Sequence, residues 1–164
     1  MNNPKKLVDA LSASKKIVVF TGAGMSAESG LPTFRNANGY FDRLTGNWYK
    51  GEEVLSLPFF QRHPALFQKL YLEHFDFSPY EPNAGHLFLA EYEQAHPDKL
   101  TICTQNIDGL HQKAGSQNVI ELHGNGEIWR TENGQKSTFD ALWQDRKGIY
   151  RDTHSKLVRP DIVL

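Results

Sequence analysis

The passage from Val18 to Arg35, VVFTGAGMSAESGLPTFR, restricts this chain more than any other. The run from Lys16 to Phe20 is apolar and β-branched and reads as a short strand. It delivers the chain into a Gly-x-Gly-x-x-Ala turn at Gly22, Gly24 and Ala27. Glycines at 22 and 24 let a backbone approach a pyrophosphate, and a helix beginning there aims N–H groups at it. The same spacing also suits a plain tight turn. Gly30 and Pro32 then stop the helix almost as soon as it starts. An ordinary dinucleotide fold continues with a full-length helix and an acidic residue closing the next strand. Here Asp42 lies at a comparable distance, but in sequence without strand character. The passage points to a nucleotide site and away from an ordinary dehydrogenase.

Strand and helix patterns alternate beyond it. Asn3-Pro4 marks a helix start, with Leu7, Val8 and Leu11 on one face. Residues 36–63 show no long period and read as an irregular connection of a length that often carries function. Pro64 to Phe75 carries Leu66, Phe67, Leu70 and Tyr71 at helical spacing. Pro82-Asn83 opens a second helical pattern through Leu87, Phe88, Ala90 and Tyr92, ending before Pro97. Leu100 to Cys103 and Asn118 to Leu122 read as strands. This alternation predicts an α/β fold, a Rossmann-like parallel sheet with crossover helices. Ligands in such sheets gather at the carboxyl ends of the strands. Loops 21–35, 104–111 and 123–125 sit at those ends. From 126 onward the sequence is mixed and polar, with no clear core.

Three of these positions invite chemistry. Gln105, Asn106 and Asp108 place two amides and a carboxylate where a strand ends, suited to ribose hydroxyls and a carboxamide. Asp108 equally suits a cap on the helix through His111. His123 closes an apolar strand and is either a general base or a hydrogen-bonded structural histidine. Cys103, inside a strand, reads as a small hydrophobe. It is the one cysteine, which excludes a disulfide within the chain and a four-thiolate zinc site. A formal net charge of -1 leaves no basic excess for nucleic acid. No apolar run approaches the roughly 20 residues of a membrane span and the start lacks a signal-peptide core, so the expectation is cytoplasmic.

Together these motifs resemble the sirtuin family. G-A-G-x-S-x-x-S-G-[IL]-P-x-F-R is complete at 22–35, T-Q-N-I-D-x-L-H at 104–111 and L-H-G at 122–124. Pro82-Asn83 with His86 is similar to the family's P-N-x-x-H, and Arg159-Pro160-Asp161-Ile162-Val163 to the stretch leading back from its small domain. The resemblance implies an NAD-dependent protein-lysine deacylase acting on an acylated-lysine protein or peptide. It releases nicotinamide as the acyl oxygen attacks the ribose carbon. The alternatives are ADP-ribosyl transfer, NAD hydrolysis, or a non-catalytic piece. By the same resemblance Gly22, Ala23, Gly24 and Ser26 line the phosphates, with Ala27 nearby and Arg35 facing the pyrophosphate. Phe34 shields the ribose carbon. Ile107 and Asp108 bind the carboxamide, and Gln105 and Asn106 hold the ribose and a structured water. His123 is the proton acceptor, so His123 and Asn106 are the catalytic pair.

The chain also departs from the family pattern. Two C-x-x-C pairs normally follow the His-Gly; here Arg130-x-x-Asn133 and Arg151-x-x-His154 align with them, so no metal is expected. Packing of Ile128, Trp129, Phe139, Leu142, Trp143 and Tyr150 is expected to hold the small lobe instead. Thr33 replaces an Asp common in deacetylases, a change shared with relatives that remove acidic acyl groups through a Tyr-x-x-Arg pair. Tyr71 and His74 align with that pair, which leaves the acyl preference open. The expected division is 1–122 for the large domain, 123–158 for the zinc-less lobe and 159–164 for the start of the return. The sheet is expected to lack its C-terminal side, to be completed by a second chain or by a missing half.

Overall fold

The computed structural model of the chain describes residues 4–33, 39–44 and 49–164. Strands β1 (Ile17–Thr21), β2 (Leu100–Thr104) and β3 (Val119–Glu121) form a parallel sheet in that order, as the alternation predicts. Ile17 pairs with Leu100 and Thr21 with Thr104, so β1 and β2 end level. Successive side chains point to opposite faces of a sheet. One face carries the buried Leu100 and Ile102. The other carries Val18, Phe20 and Ile120, with Leu122 just past β3, and all four are largely exposed.

Eight helices surround or extend this sheet among the described residues: α1 (Pro4–Ala13), α2 (Ala23–Ala27), α3 (Tyr40–Leu44), α4 (Gly51–Val54), α5 (Leu57–Arg62), α6 (Pro64–His74), α7 (Ala84–Ala95) and α8 (Leu110–Lys113). The short helix expected after the glycine turn is α2, and Gly30 beyond it has φ +89°. The irregular connection expected over 36–63 is corrected. Its described part holds α3, α4 and α5, and their Tyr40, Leu44, Val54, Phe59 and Phe60 are buried. Helices of four to six residues are too short for a 3.6-residue period to register. Residues 36–38 and 45–48 lie outside the described residues.

Helix α7 forms where expected but turns a different face inward. His86 and Ala90 are buried, while Leu87 and Phe88 are exposed. A capping box sets this rotation: the Asn83 side chain accepts from Gly85 N and His86 N, and the Asn83 N–H donates to His86 Nδ1. Asn83 Nδ2 also donates to Met25 O at 2.7 Å and Ser29 Oγ at 3.0 Å, which pins α7 to the end of α2.

The expectation of no core after 126 is also corrected. Strand β4 (Gly124–Thr131) pairs antiparallel with β5 (Lys136–Thr138) and β8 (Val158–Ile162), and β6 (Trp143–Gln144) pairs with β7 (Tyr150–Arg151). Trp129, Val158 and Ile162 are buried in the same cluster as Phe67, Tyr71, Phe75 and Phe77. Tyr71 meets Trp129 edge-on, their rings 5.9 Å apart. The pattern was hidden because β4 shifts register against β8 between Asn125 and Trp129, which breaks the two-residue alternation. Gly124 is required twice over: its φ is +82°, and a Cβ there would lie 1.9 Å from Asp161 O.

Of the six residues expected to hold the lobe by packing, Trp129 alone is fully buried; Phe139 and Trp143 are exposed. Side-chain hydrogen bonds do much of the holding. Buried Gln68 on α6 donates to Tyr150 O and Val158 O and accepts from Tyr150 N, clamping β7 and β8 to the helix. Asp145 accepts from Lys147 N, Ile149 N and Arg151 Nε, and Asp152 accepts from His154 N and Lys156 N. The Arg151 hydrogen bond, joined by those backbone bonds, holds the Asp145 carboxyl below its ordinary range.

Candidate active site

At the level ends of β1 and β2 two loops are knotted together. Ser26, on α2, is 2% exposed and donates to Asp108 Oδ2 at 2.7 Å. It also accepts from Asn106 Nδ2 at 2.9 Å. The same Nδ2 donates to Gly22 O, so both amide donors of Asn106 are used inside the protein. What Asn106 has to offer a ligand is its Oδ1 acceptor. Asp108 Oδ1 accepts from Leu110 N at the start of α8, but the N-cap position foreseen for it falls to Gly109, while its other oxygen holds Ser26.

His123 is exposed and held from two sides. Val163 N–H donates to its carbonyl, and its Nδ1 lies 3.0 Å from Gln105 O. A carbonyl only accepts, so Nδ1 carries the hydrogen and the neutral ring keeps its lone pair on Nε2. That is the tautomer a general base requires.

These groups share a cavity of about 760 Å³. Ala23, Gln105, Asn106, Ile107 and His123 line it from the strand ends. Phe41, Glu52, Leu55 and Phe75 contribute from the α3–α6 region, Ile162 and Val163 from the end of β8, and Thr33 completes the lining. A smaller cavity beside it shares Ala23, Asn106 and Ile107 and is bounded by Ser26 and Asp108. Gly22 contributes its carbonyl to Asn106, whereas Gly24 and Ala27 line neither cavity. Phe34 and Arg35 lie outside the described residues.

The glycines need a reason. Gly22 is extended, with φ −147°, a conformation any residue adopts. A Cβ on Gly22 or Gly24 would meet nothing within 4 Å among the described residues. Among the described residues neither the backbone nor any neighbour therefore asks for glycine, and the bare loop leaves room for a ligand to approach.

Behind the loops lies a pair the residue-by-residue reading passed over. His86 and His111 are both buried, their rings 4.8 Å apart and edge-on, and His111 Nε2 lies 3.0 Å from Thr21 Oγ1. Burial lowers both pKa values, with His86 also lowering His111, to about 4, against an opposing pull from Asp108. His86 Nε2 and His111 Nδ1 are buried with no hydrogen-bond partner among the described residues. Both histidines belong to the quoted motifs, yet a single sequence cannot tell a buried imidazole from a surface one.

The family model for the Sir2 family matches residues 22–164. The chain belongs to the Sir2 family. It is 40% identical over 162 residues to the NAD-dependent protein deacetylase of Clostridium perfringens, covering 97% of this chain and 65% of that protein. It is 50% identical over 158 residues to the enzyme of the same name from Bacillus cereus, covering 94% and 62%. Among solved structures, a Sir2 homologue in complex with ADP-ribose superposes with TM-score 0.81 at 33% identity, over 99% of this chain and 63% of that one. A Sir2 complex with p53 peptide and NAD+ superposes with TM-score 0.77 at 34% identity, over 99% and 65%. This Sir2-family chain thus spans under two thirds of the length of these relatives.

The lobe's donor set does not fit the zinc that the sirtuin pattern implies. Arg130 pairs with Asp161, Arg151 with Asp145, and Asn133 accepts from the Thr131 hydroxyl. Guanidinium groups do not ligate metal. His154 is exposed and lies 3.9 Å from the nearest oxygen of Asp152. Among the described residues no three His, Cys, Asp or Glu side chains converge.

Proposed function

We propose that this chain forms the nicotinamide side of an NAD-dependent protein-lysine deacylase. The observation that carries the reading is His123. Its hydrogen is committed to Gln105 O, and its free Nε2 belongs to a residue lining the same cavity as Asn106. The relatives named as NAD-dependent protein deacetylases support it.

NAD, when bound, supplies a ribose carbon activated by a leaving nicotinamide. Ala23 and the open loop at Gly22 and Gly24 would face its phosphates, with Asn106 Oδ1 and Gln105 toward the ribose. Ile107 and Asp108 would border the nicotinamide. His123 Nε2 accepts the proton of a ribose hydroxyl, which frees that oxygen to attack the acyl carbon. The apolar side chains of Phe41, Leu55, Phe75 and Ile162 limit the water that would otherwise intercept the activated carbon. We also propose that the small lobe stands without zinc, on the polar turns at Asp145 and Asp152.

Incubating the protein that carries this sequence with NAD, with and without an acetyl-lysine peptide, tests the reading. Nicotinamide release that requires the peptide is expected. Release without peptide would replace the reading with NAD hydrolysis or ADP-ribosyl transfer, and no release with a non-catalytic role.

A further inference from the structure

The outer face of the sheet formed by β5, β4 and β8 carries a row of like charges. Side chains alternate along a strand, and Trp129 points inward to the core, so Arg130 points outward. Arg130 pairs in register with Lys136 on β5 and with Arg159 on β8, and directly paired residues share a face. Three cations therefore stand side by side across three strands, about 4.8 Å from one strand to the next. Like charges set opposite one another cost stability, so the row asks for a reason.

One carboxylate answers the three. Asp161 takes Arg130 Nη1 on one oxygen at 3.2 Å and Lys136 Nζ on the other at 2.6 Å. Arg159 forms no ion pair among the described residues; its Nη1 donates to Pro160 O at 2.9 Å and Ile162 O at 2.8 Å. Burial and then the charge of Arg130 hold its pKa below the ordinary value, against the pull of Asp161. Residues 1–3, 34–38 and 45–48, outside the described ones, contain no Asp or Glu to add. The Lys136 and Arg130 side chains are 66% and 35% exposed, so the row is open to solvent.

Such a face fits an acidic stretch of extended polypeptide. The row is about 10 Å long, the span of about three extended residues. A net charge of -1 leaves the chain without the wider basic field that a nucleic-acid backbone needs. The row is also continuous with the cavity, because Arg159 holds Ile162 O, and Ile162 and Val163 line the cavity. Three residues of β8 separate them, a distance of about 10 Å.

We propose that Lys136, Arg130 and Arg159 form a docking surface for an acidic segment of an extended polypeptide. On the deacylase reading, that polypeptide is the acylated substrate whose lysine enters the cavity. The docking itself does not require turnover.

The test uses the full-length protein that carries this sequence and one lysine peptide with a Glu-Glu-Glu or a Gln-Gln-Gln segment on either side of the lysine. Fluorescence anisotropy reads the binding of the unacetylated forms. The Glu peptide should bind about five- to tenfold tighter at low salt, the worth of two or three exposed ion pairs, and the advantage should fade as salt is added. With the acetylated forms and NAD the same preference should appear in KM, with kcat unchanged. Lys136→Glu should abolish it. Lys147→Glu, an equal change of charge in the exposed turn between β6 and β7, should leave it intact. Lys136 is exposed, so the variant is expected to fold, and circular dichroism melts check this; Lys136→Gln, which removes only the charge, should reduce the preference in either case. Equal binding of the Glu and Gln peptides overturns the proposal. So does a preference that Lys136→Glu and Lys147→Glu weaken alike, or one that a short oligodeoxythymidine displaces as well as the Glu peptide does. Turnover of neither acetylated peptide, with Lys136-dependent binding intact, overturns the deacylase reading and leaves the docking surface standing.

Discussion

His123 and Asp108 are both held by hydrogen bonds, but for opposite purposes. His123 spends one nitrogen to keep the other free, and it sits at the surface, where its removal disturbs no packing. His123→Ala should therefore lower kcat by about 10²- to 10⁴-fold, the usual worth of a general base, with an unchanged melting temperature. Retention of more than about a tenth of normal activity would remove the role assigned to it. Asp108 has both oxygens engaged, by Leu110 N and by Ser26 Oγ. Asp108→Asn presents an amide to a hydroxyl that already accepts from Asn106, so the knot between the loops loosens. The expected reading is a higher KM for NAD and weaker inhibition by added nicotinamide, with the protein still folded. The buried pair His86 and His111 makes a prediction in pH. Both have folded pKa values below the free value of about 6.5, so the unfolded chain binds more protons as pH falls. Their contribution to stability is complete above about pH 6.5 and is lost progressively as the pH falls toward the His111 value of about 4. Urea midpoints measured from pH 8 to 4.5 should decline, and His111→Gln should flatten that decline; parallel curves would contradict it.

Helix α6 is joined to the small lobe by a single polar side chain as much as by its aromatic face. Gln68 satisfies the N–H and carbonyl of Tyr150 and the carbonyl of Val158, all at 2.7 to 3.1 Å. Gln68→Leu keeps the volume but leaves those three backbone groups without their partner. The cost should be about 1–3 kcal/mol for a buried group left unpaired, read as a lower urea midpoint. The lobe's own turns follow the same logic, with Asp152 accepting from two backbone N–H groups while only 2% exposed. Asp152→Ala should lower the melting temperature, whereas a chelator should leave it unchanged. About one zinc per purified chain, lost together with folding on chelation, would overturn that expectation.

The molecule presents apolar surface that its own described residues do not cover. Val18, Phe20, Ile120 and Leu122 lie on one side of the parallel sheet, at 66%, 62%, 49% and 45% exposure. Parallel sheets are ordinarily covered on both faces, and a contiguous apolar patch of this kind marks an interaction surface or an aggregation liability. A polypeptide of these 164 residues should self-associate or be poorly soluble and bind NAD weakly. Sedimentation velocity checks this. A well-folded monomer with micromolar NAD affinity would show that the face needs no cover. Phe20→Lys with Ile120→Glu should shift the distribution toward monomer.

The local signals were strong enough to read directly: β-branched runs marked the three parallel strands, Gly30 stopped α2, and Asn83 announced α7. Their spacing also brought Asn106 and His123 to the same end of the sheet, because strand ends in a parallel sheet converge whatever lies between them. The short helices α3 to α5 were illegible, since four to six residues cannot display a helical period. The face that α7 turns inward, the burial of Trp129 and the fate of Tyr71 depend on partners far away in the chain. Tyr71 at the end of α6 could line a cavity or brace a strand with the same sequence around it. Gly126 O, 55 positions further on, decided it by offering an acceptor that a buried phenol has to take.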